Sequence, residues 1–323
     1  RAATFAANQH PCRIIVVIPR PGRGKPQLDA EVWVGDREGP GETVKLRLKG
    51  PLARQQASVV LPLLLPDTPV VVWWPADAPA IPADDQVGRM ANRRITDAST
   101  ARRPLADLTG RTTSYHPGDT DLAWTRTTPW RSVLATALDE PHEQIIAATV
   151  SGERNNPSAT LLAAWLQARL KVPAVVKNSR GPGITGVVLK TKNGDIGLSR
   201  HDGRLAELTR THGLSRKAPL PRRELRELVT EELRRLDADE IYAETLAELA
   251  KGLGEPARKS RSAKAPVRSS KVAATPASTA GAKPIAKRSP ATRPARRKVA
   301  AKDPSASPAQ PTTATKAKRK ASK

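Results

Sequence analysis

The sequence predicts two α/β domains with mixed sheets and packed helices, followed by a disordered basic C-terminal tail. Three observations carry that prediction. Short β-branched runs alternate with stretches of helical period over the first 250 residues. That pattern breaks and restarts near residues 138–143, at LDEPHEQ. Beyond residue 252 hydrophobic periodicity stops and Lys, Arg, Ala, Pro, Ser and Thr take over. The expected parts are an N-terminal α/β domain at 1–140, a C-terminal α/β domain at 141–252 and a tail at 253–323. The chain opens at Arg1 on RAATFAANQHP, which reads as the end of a helix or loop, so further residues are expected upstream.

The elements follow in order. HPCRIIVVIP (10–19) holds five consecutive apolar residues, Ile14 to Ile18, between prolines, the pattern of a strand buried on both faces. LDAEVWVGD (28–36) alternates Leu28, Ala30, Val32 and Val34 against Asp29, Glu31 and Trp33, and ETVKLRLKG (42–50) alternates likewise. Together they predict an antiparallel hairpin across GDREGPGE. PLARQQASVVLPLLLPD (51–67) changes to helical spacing, which Pro62 must end or kink. TPVVVWWP predicts another buried strand, and DDQVGRMANRRITDAS (84–99) a short helix running into extended RRITDA. DTDLAWTRTTPWRSVLATALDEP (119–141) predicts a helix that Pro129 kinks or restarts, with Thr128 as N-cap.

After the break, IIAATVSG (145–152) predicts a strand. NPSATLLAAWLQARLK (156–171) predicts a helix with Leu161, Leu162, Trp165, Leu166 and Leu170 on one stripe. Residues 183–210 predict strands joined by tight turns at Asn193-Gly194 and Asp202-Gly203. Residues 221–252 predict helix, with Asp237 and Glu240 spaced as a capping box that restarts it.

Composition limits the function classes. Of the net charge of +24, +18 falls from Lys251 onward, where 20 Lys and Arg face two acidic residues. A basic, phosphate-seeking character therefore belongs to the tail and not to the folded body. That tail lacks aromatic residues and cannot bury enough apolar surface to offset its chain entropy. Cys12 is the only cysteine, which excludes an internal disulfide. No apolar run approaches the ~20 residues of a membrane span, and a cytoplasmic protein is expected.

Few motifs carry chemistry. RPGRGKP (20–26) lacks the spacing of a phosphate loop, and Pro26 blocks a following helix. No two of the five histidines lie three to five apart, against a zinc motif. His10 and Cys12 share a strand face but have no orienting carboxylate nearby. Asp119 and Asp121 sit beside Trp124, a pairing compatible with glycoside chemistry, yet either fits better as a helix cap. Arg93 and Asp97 share a strand face, the arrangement of an ion pair or polar surface. No catalytic, cofactor-binding or metal-ligating residue emerges, and no cofactor is expected. Trp73 and Trp74, consecutive in a strand, must point to opposite faces. With only six Trp, two Tyr and one Phe in the chain, Trp73, Trp74, Trp124, Arg126, Trp130 and Arg131 are the candidates for a partner-binding surface, because aromatic residues and Arg are enriched at interfaces.

Taken in order, HPCRIIVVI, ASVVLPLLLPDTPVVVWWP, RRITDAS, GDTDLAWTRTTPWR and LRRLDADEIYAETL resemble the glucose-6-phosphate dehydrogenase assembly protein (OpcA) family of bacteria, from about residue 8 to about 250. The resemblance implies a non-enzymatic partner of the glucose-6-phosphate dehydrogenase oligomer, promoting its assembly or active state in the oxidative pentose phosphate pathway. Family members usually carry a helix and strand ahead of the segment matching HPCRIIVVI, and the Lys/Pro/Ala tail has no counterpart in the family pattern. Two other classes stay open on the residues alone. The tail fits a nucleic-acid-associated protein binding phosphates, or an acidic partner, without sequence preference. Asp119, Asp121 and Trp124 fit a carbohydrate-active enzyme.

Overall fold

The computed structural model describes residues 1–35, 41–211 and 213–253. All of the described residues fall in one compact unit. The expectations made for the tail, for the tip of the first hairpin and for His212 lie outside the described residues.

The chain begins with α1 (Ala2–Gln9), which buries Ala6 and Ala7. Then β1 (Ile14–Arg20), β2 (Gln27–Val34) and β3 (Glu42–Lys49) form a sheet in the order β1-β3-β2. β1 runs parallel to β3, and β2 pairs with β3 antiparallel, as the alternation predicts. Register places Ile15, Val44 and Val32 in one row and Val17, Leu46 and Ala30 in the next. This face carries the core, with Val44, Leu46 and Leu48 packed against Val60 and Val87. The opposite face is laced by ion pairs from Glu31 to Lys45 and Arg47 and from Asp29 to Lys49. The expectation that β1 is buried on both faces is therefore corrected. β1 is an edge strand packed on its Ile15/Val17 side, and Val16 on the other side is 38% exposed.

The 51–67 stretch breaks into a 3-10 turn at Gly50–Arg54, α2 (Gln56–Val60) and a second 3-10 turn at Leu61–Leu63. Pro62 lacks the N–H a continuing helix needs. Next come β4 (Val71–Trp73), β5 (Arg93–Thr96), α3 (Pro104–Ser114) and β6 (Asp119–Asp121). The three strands form an all-parallel sheet in sequential order. Both faces are covered. Val71 and Trp73 pack against Ile95, Leu122, Leu228 and Val229, while Val72 and Trp74 pack on the core of the first sheet. β4 is nonetheless only half-buried along its length, because it is the edge of its sheet.

DTD is the short strand β6 rather than the first helical turn. Helix begins only with α4 (Leu122–Thr125), and α5 (Thr128–Asp139) follows with Thr127, not Thr128, at the N-cap. The Thr127 hydroxyl donates back to the Trp124 carbonyl at 2.7 Å, closing the preceding turn instead of capping the next helix.

A six-stranded sheet occupies the rest: β7 (Ala147–Gly152), β8 (Ala174–Asn178), β9 (Ile184–Lys190), β10 (Asp195–Ser199), β11 (Leu205–Arg210) and β12 (Arg216–Pro219). Its order is β12-β11-β10-β9-β7-β8, with β7 and β8 parallel and the other pairs antiparallel. Connecting β7 to β8 is α6 (Pro157–Leu170), capped by the Asn156 side-chain oxygen Oδ1, which accepts from Ala159 N. The single stripe predicted for α6 becomes two faces. Leu162, Ala163 and Leu166 pack with Trp130, Leu134 and the sheet. Leu161 packs with Trp124 and Tyr242, and Trp165 touches both groups. A helix apolar on most sides belongs between layers.

The turns differ from expectation in one case. Asn193-Gly194 lies in a four-residue connection between Lys190 and Asp195, and neither residue takes positive φ. The Thr191 hydroxyl donates to Gly194 O at 2.6 Å and stabilises the wider loop. Gly203 does take positive φ, +75°, while the Asp202 carboxylate accepts from Arg204 N and Leu205 N. Finally α7 (Leu225–Glu232) and α8 (Glu240–Lys251) close the body. The expected Asp237/Glu240 capping box is corrected twice. Asp239 caps α8 by accepting from Tyr242 N, and the capping box stands one helix earlier, at Glu224 and Glu227.

Candidate functional site

Three parallel strands ending side by side make one sheet edge where loops converge. In open parallel α/β sheets the crevice outside the carboxyl ends of the strands is the usual place for a ligand. Here β4 delivers Trp74, β5 delivers Asp97, and β6 delivers Asp121 into the start of α4. Gly118, just before β6, takes φ +92°, and a Cβ there would fall 2.3 Å from Asn92 O. Only glycine allows β5 and β6 to enter the sheet this close together.

The carboxylates at this edge are already engaged. Asp97 accepts two bonds from the Arg126 guanidinium, at 2.8 and 2.7 Å, and one from Ser99 N. The expected partner of Asp97, Arg93, turns elsewhere. It is buried and reaches Glu232 Oε2 at 2.5 and 3.1 Å and Asp237 O at 2.7 Å. Arg94 binds Asp119 at 2.5 Å and the carbonyls of Ala91 and Pro117. Asp119 and Asp121 are thus not an acid–base pair facing solvent. One neutralises Arg94, and the other caps α4 on Ala123 N, as the cap reading expects.

Asp121 is fully buried. Its oxygens accept from Ala98 N, Ala123 N and the Thr96 hydroxyl. Burial, followed by the nearby Asp97 charge, pushes its carboxyl up from 3.8 to about 6, against the opposing pull of those hydrogen bonds. The folded state therefore holds the Asp121 proton more tightly than the unfolded chain does. The resulting stabilisation is full below about pH 4, declines through about pH 6 and is absent above it; it amounts to about 3 kcal/mol. Asp121→Asn removes this titration and keeps an oxygen for Ala98 N and Ala123 N, while Thr96 Oγ1 can donate to Thr120 O, 3.1 Å away, and accept from the new amide. Urea unfolding at pH 4 and pH 7.5 should show wild type losing about 2.5 kcal/mol more than the variant over that range. Equal pH dependence in the two proteins would reject the assignment.

The six partner-surface candidates divide by position. Trp124 and Trp130 are 1% exposed. The Trp124 indole N–H donates to Asp239 Oδ2 at 2.7 Å, and the Arg131 guanidinium stacks 3.7 Å above its ring. Burial pulls Arg131 down to about 10. Trp130 lies in the core of the large sheet with the Arg200 guanidinium 4.9 Å from its ring. Trp73 and Trp74 are half-buried on opposite faces, and Arg126 is half-buried on Asp97. The structure brings Trp74, Asp97 and Arg126 to the same sheet edge and carries Trp130 away into the other layer. Glu232 and Asp239, which anchor Arg93 and Trp124, were not marked by the sequence, where they are ordinary charges on amphipathic helices.

The remaining sequence candidates find no chemistry. Cys12 is at the surface, with its thiol raised by partial desolvation. No hydrogen bond joins it to His10 among the described residues. No group of three or more His, Cys, Asp or Glu is placed to hold a metal among the described residues. No helix among them is long and apolar enough to cross a membrane.

Beside Trp74 and Asp97 opens a cleft of about 360 Å³, bounded also by the loop after β5 and the first turn of α3. Its volume is within the range of small-molecule sites.

Comparison with known proteins bears on identity. The family model for the glucose-6-phosphate dehydrogenase subunit N-terminal domain matches residues 3–113, and the model for the subunit's C-terminal domain matches residues 117–246. Two curated relatives are the OxPP cycle proteins named OpcA of Synechococcus elongatus and Synechocystis sp. The first is 29% identical over 185 residues, covering 51% of this chain and 40% of the relative; the second is 28% identical over 186 residues, covering 53% and 39%. The chain thus matches about two fifths of the length of these relatives. Among solved structures, KijD10, a 3-ketoreductase from Actinomadura kijaniata, aligns with TM-score 0.42 and 12% identity over 78% of this chain and 92% of that one. That likeness is too low to bear on fold or function. With consecutive family models spanning the body from residue 3 to 246, the chain belongs to the glucose-6-phosphate dehydrogenase assembly protein (OpcA) family.

Proposed function

We propose that this chain is a non-enzymatic assembly factor and allosteric activator that binds the glucose-6-phosphate dehydrogenase oligomer in the oxidative pentose phosphate pathway. The observation that carries the reading is the run of two consecutive family models along the folded body. The engagement of Asp119, Asp121 and Asp97 in buried ion pairs and caps supports it, because these carboxylates are committed to holding the scaffold. An activator of this type works by binding one enzyme conformation better than another, and each 1.4 kcal/mol of preference shifts the equilibrium about tenfold.

The docking surface is the sheet edge bearing Trp74 and Arg126. Trp73, Trp124 and Arg131 support it from beneath or beside, and Trp130 acts only through the layer behind it. Trp74→Ala and Arg126→Ala are each expected to weaken co-purification with the cognate dehydrogenase about 30-fold, the loss of about 2 kcal/mol of a hot-spot contact. If all six positions bind the enzyme like wild type when changed to alanine, the surface lies elsewhere. The broader reading is tested by recording dehydrogenase activity against glucose 6-phosphate, and its oligomer size, with and without this chain. No change in rate, affinity or size would overturn it.

A further inference from the structure

The cleft beside Trp74 shares that indole with the docking surface but adds charged groups that scaffold and docking roles do not use. Its walls come from the segment after β4 and from the segment joining β5 to α3, both at the carboxyl ends of parallel strands. Two of its carboxylates are satisfied, Asp97 by Arg126 and Asp107 by Arg111 at 3.2 and 3.3 Å. Arg102 and Arg103, adjacent and exposed on the cleft wall, have no ion-pair partner among the described residues. Apart from Asp77, the unneutralised charge of the cleft is therefore positive. Arg103 and Ala106, at the N-cap and in the first turn of α3, also line the cleft, and no side chain caps that helix. Its positive dipole end adds to the two guanidiniums.

The segment after β4 contributes Trp74, Ala76 and Ala78 as an apolar surface beside Asp77. Trp74 is held in place because Gly88 lets backbone and indole close up: a Cβ on Gly88 would lie 1.8 Å from Pro82 O and 3.2 Å from Trp74 Cη2. No protein group accepts a bond from the Trp74 indole N–H among the described residues. Paired cations across from a fixed indole, in a cleft of about 360 Å³, fit a dianion attached to a ring. Arg is suited to the first through its planar fork of donors; Trp is suited to the second through its large flat surface.

We propose that this cleft binds a small phosphomonoester, its phosphate held by Arg102 and Arg103 and its ring packed against Trp74. The ring is that of a sugar or of a nucleobase, and Asp77 accepts hydroxyl or amino hydrogens from it. The proposal does not rest on the dehydrogenase reading, and the isolated chain is sufficient to test it. Titration of the full chain is followed by calorimetry in moderate salt, with glucose 6-phosphate, AMP, inorganic phosphate and glucose as separate probes. One of the two phosphomonoesters is expected to bind saturably with a Kd of roughly 0.1–1 mM, the scale for so few atoms in an open site. Whichever binds identifies the ring.

The Arg102→Ala/Arg103→Ala double variant should weaken that binding at least tenfold, and Trp74→Phe should weaken it severalfold. The basic tail attracts anions too, so dependence on Arg102 and Arg103 is the deciding readout. Both arginines are exposed, and an unchanged melting temperature will verify that the double variant folds. No saturable binding of either phosphomonoester, equal binding by the double variant, or binding of inorganic phosphate as tight as that of the phosphomonoesters would each overturn the proposal.

Discussion

Glu232→Ala is expected to destabilise the folded body by about 3–5 kcal/mol, the cost of leaving a buried charge without its partner. Arg93 and Glu232 lie 139 residues apart, with side chains 5% and 6% exposed. Arg93 sits on β5, and Glu232 is the last residue of α7. The other Glu232 oxygen accepts from the Thr125 hydroxyl at 2.5 Å. Removing the carboxylate leaves the guanidinium with Asp237 O as its remaining acceptor and leaves the Thr125 hydroxyl with only the longer contact to Asp121 O, at 3.4 Å. Glu232→Gln keeps an acceptor for one of the two donors and should cost less than half as much. Arg93→Met/Glu232→Leu, which replaces the pair by apolar volume, should recover most of the loss, because a desolvated pair contributes little net stability. Urea midpoints for the four proteins decide it. A Glu232→Ala protein within 1 kcal/mol of wild type would show that the pair is not holding α7 to the parallel sheet.

That ion pair also shows why part of the fold was legible and part was not. Periodicity reads local environment well. The β2–β3 hairpin, the arrest at Pro62, the strand RRIT and the opposite faces of Trp73 and Trp74 all follow from side chains alternating or advancing along one element. Burial depends on what arrives from elsewhere. Ile14–Ile18 looks like a central strand by composition, but its place in the β1-β3-β2 order makes it an edge. Val32 and Leu28 share the core-facing side with Val44 and Leu48, yet they are 57% and 47% exposed because the covering layer stops short of β2.

At the candidate site the same division holds. That Asp119 or Asp121 caps a helix was readable because capping is local, and the structure gives the cap to Asp121. The partners of Arg93, Arg126 and Trp124 were not, because Glu232, Asp97 and Asp239 reach them across 139, 29 and 115 residues. The choice among charged side chains on an amphipathic helix leaves no mark in its spacing. Asp237 and Asp239 illustrate the limit: two residues apart, both acidic, and only the register of α8 against Trp124 selects the second as both cap and acceptor. Arg102 and Arg103 drew no notice because unpaired surface cations are ordinary until a cleft is seen beside them.

Trp124 offers the sharpest separation of scaffold from contact surface. Trp124→Ala is expected to cost about 4–5 kcal/mol, through a large cavity beside Leu161 and Tyr242 and through loss of the bond to the Asp239 carboxylate. The same change strips the ring from beneath Arg131, whose guanidinium is already disfavoured by burial. Trp124→Phe retains most of the volume and loses the N–H, so it should cost about 1.5–3 kcal/mol, the range for a hydrogen bond to a charged group. Thermal melts at neutral pH give the order wild type, Trp124→Phe, Trp124→Ala. Dehydrogenase co-purification is then measured well below the melting point of each. An indole that is 1% exposed can influence a partner only through the elements it positions. Trp124→Phe, folded and with Asp239 still capping α8, should therefore bind the enzyme like wild type, whereas a Trp124→Phe protein that melts near wild type but loses the enzyme would place the indole in the contact surface itself.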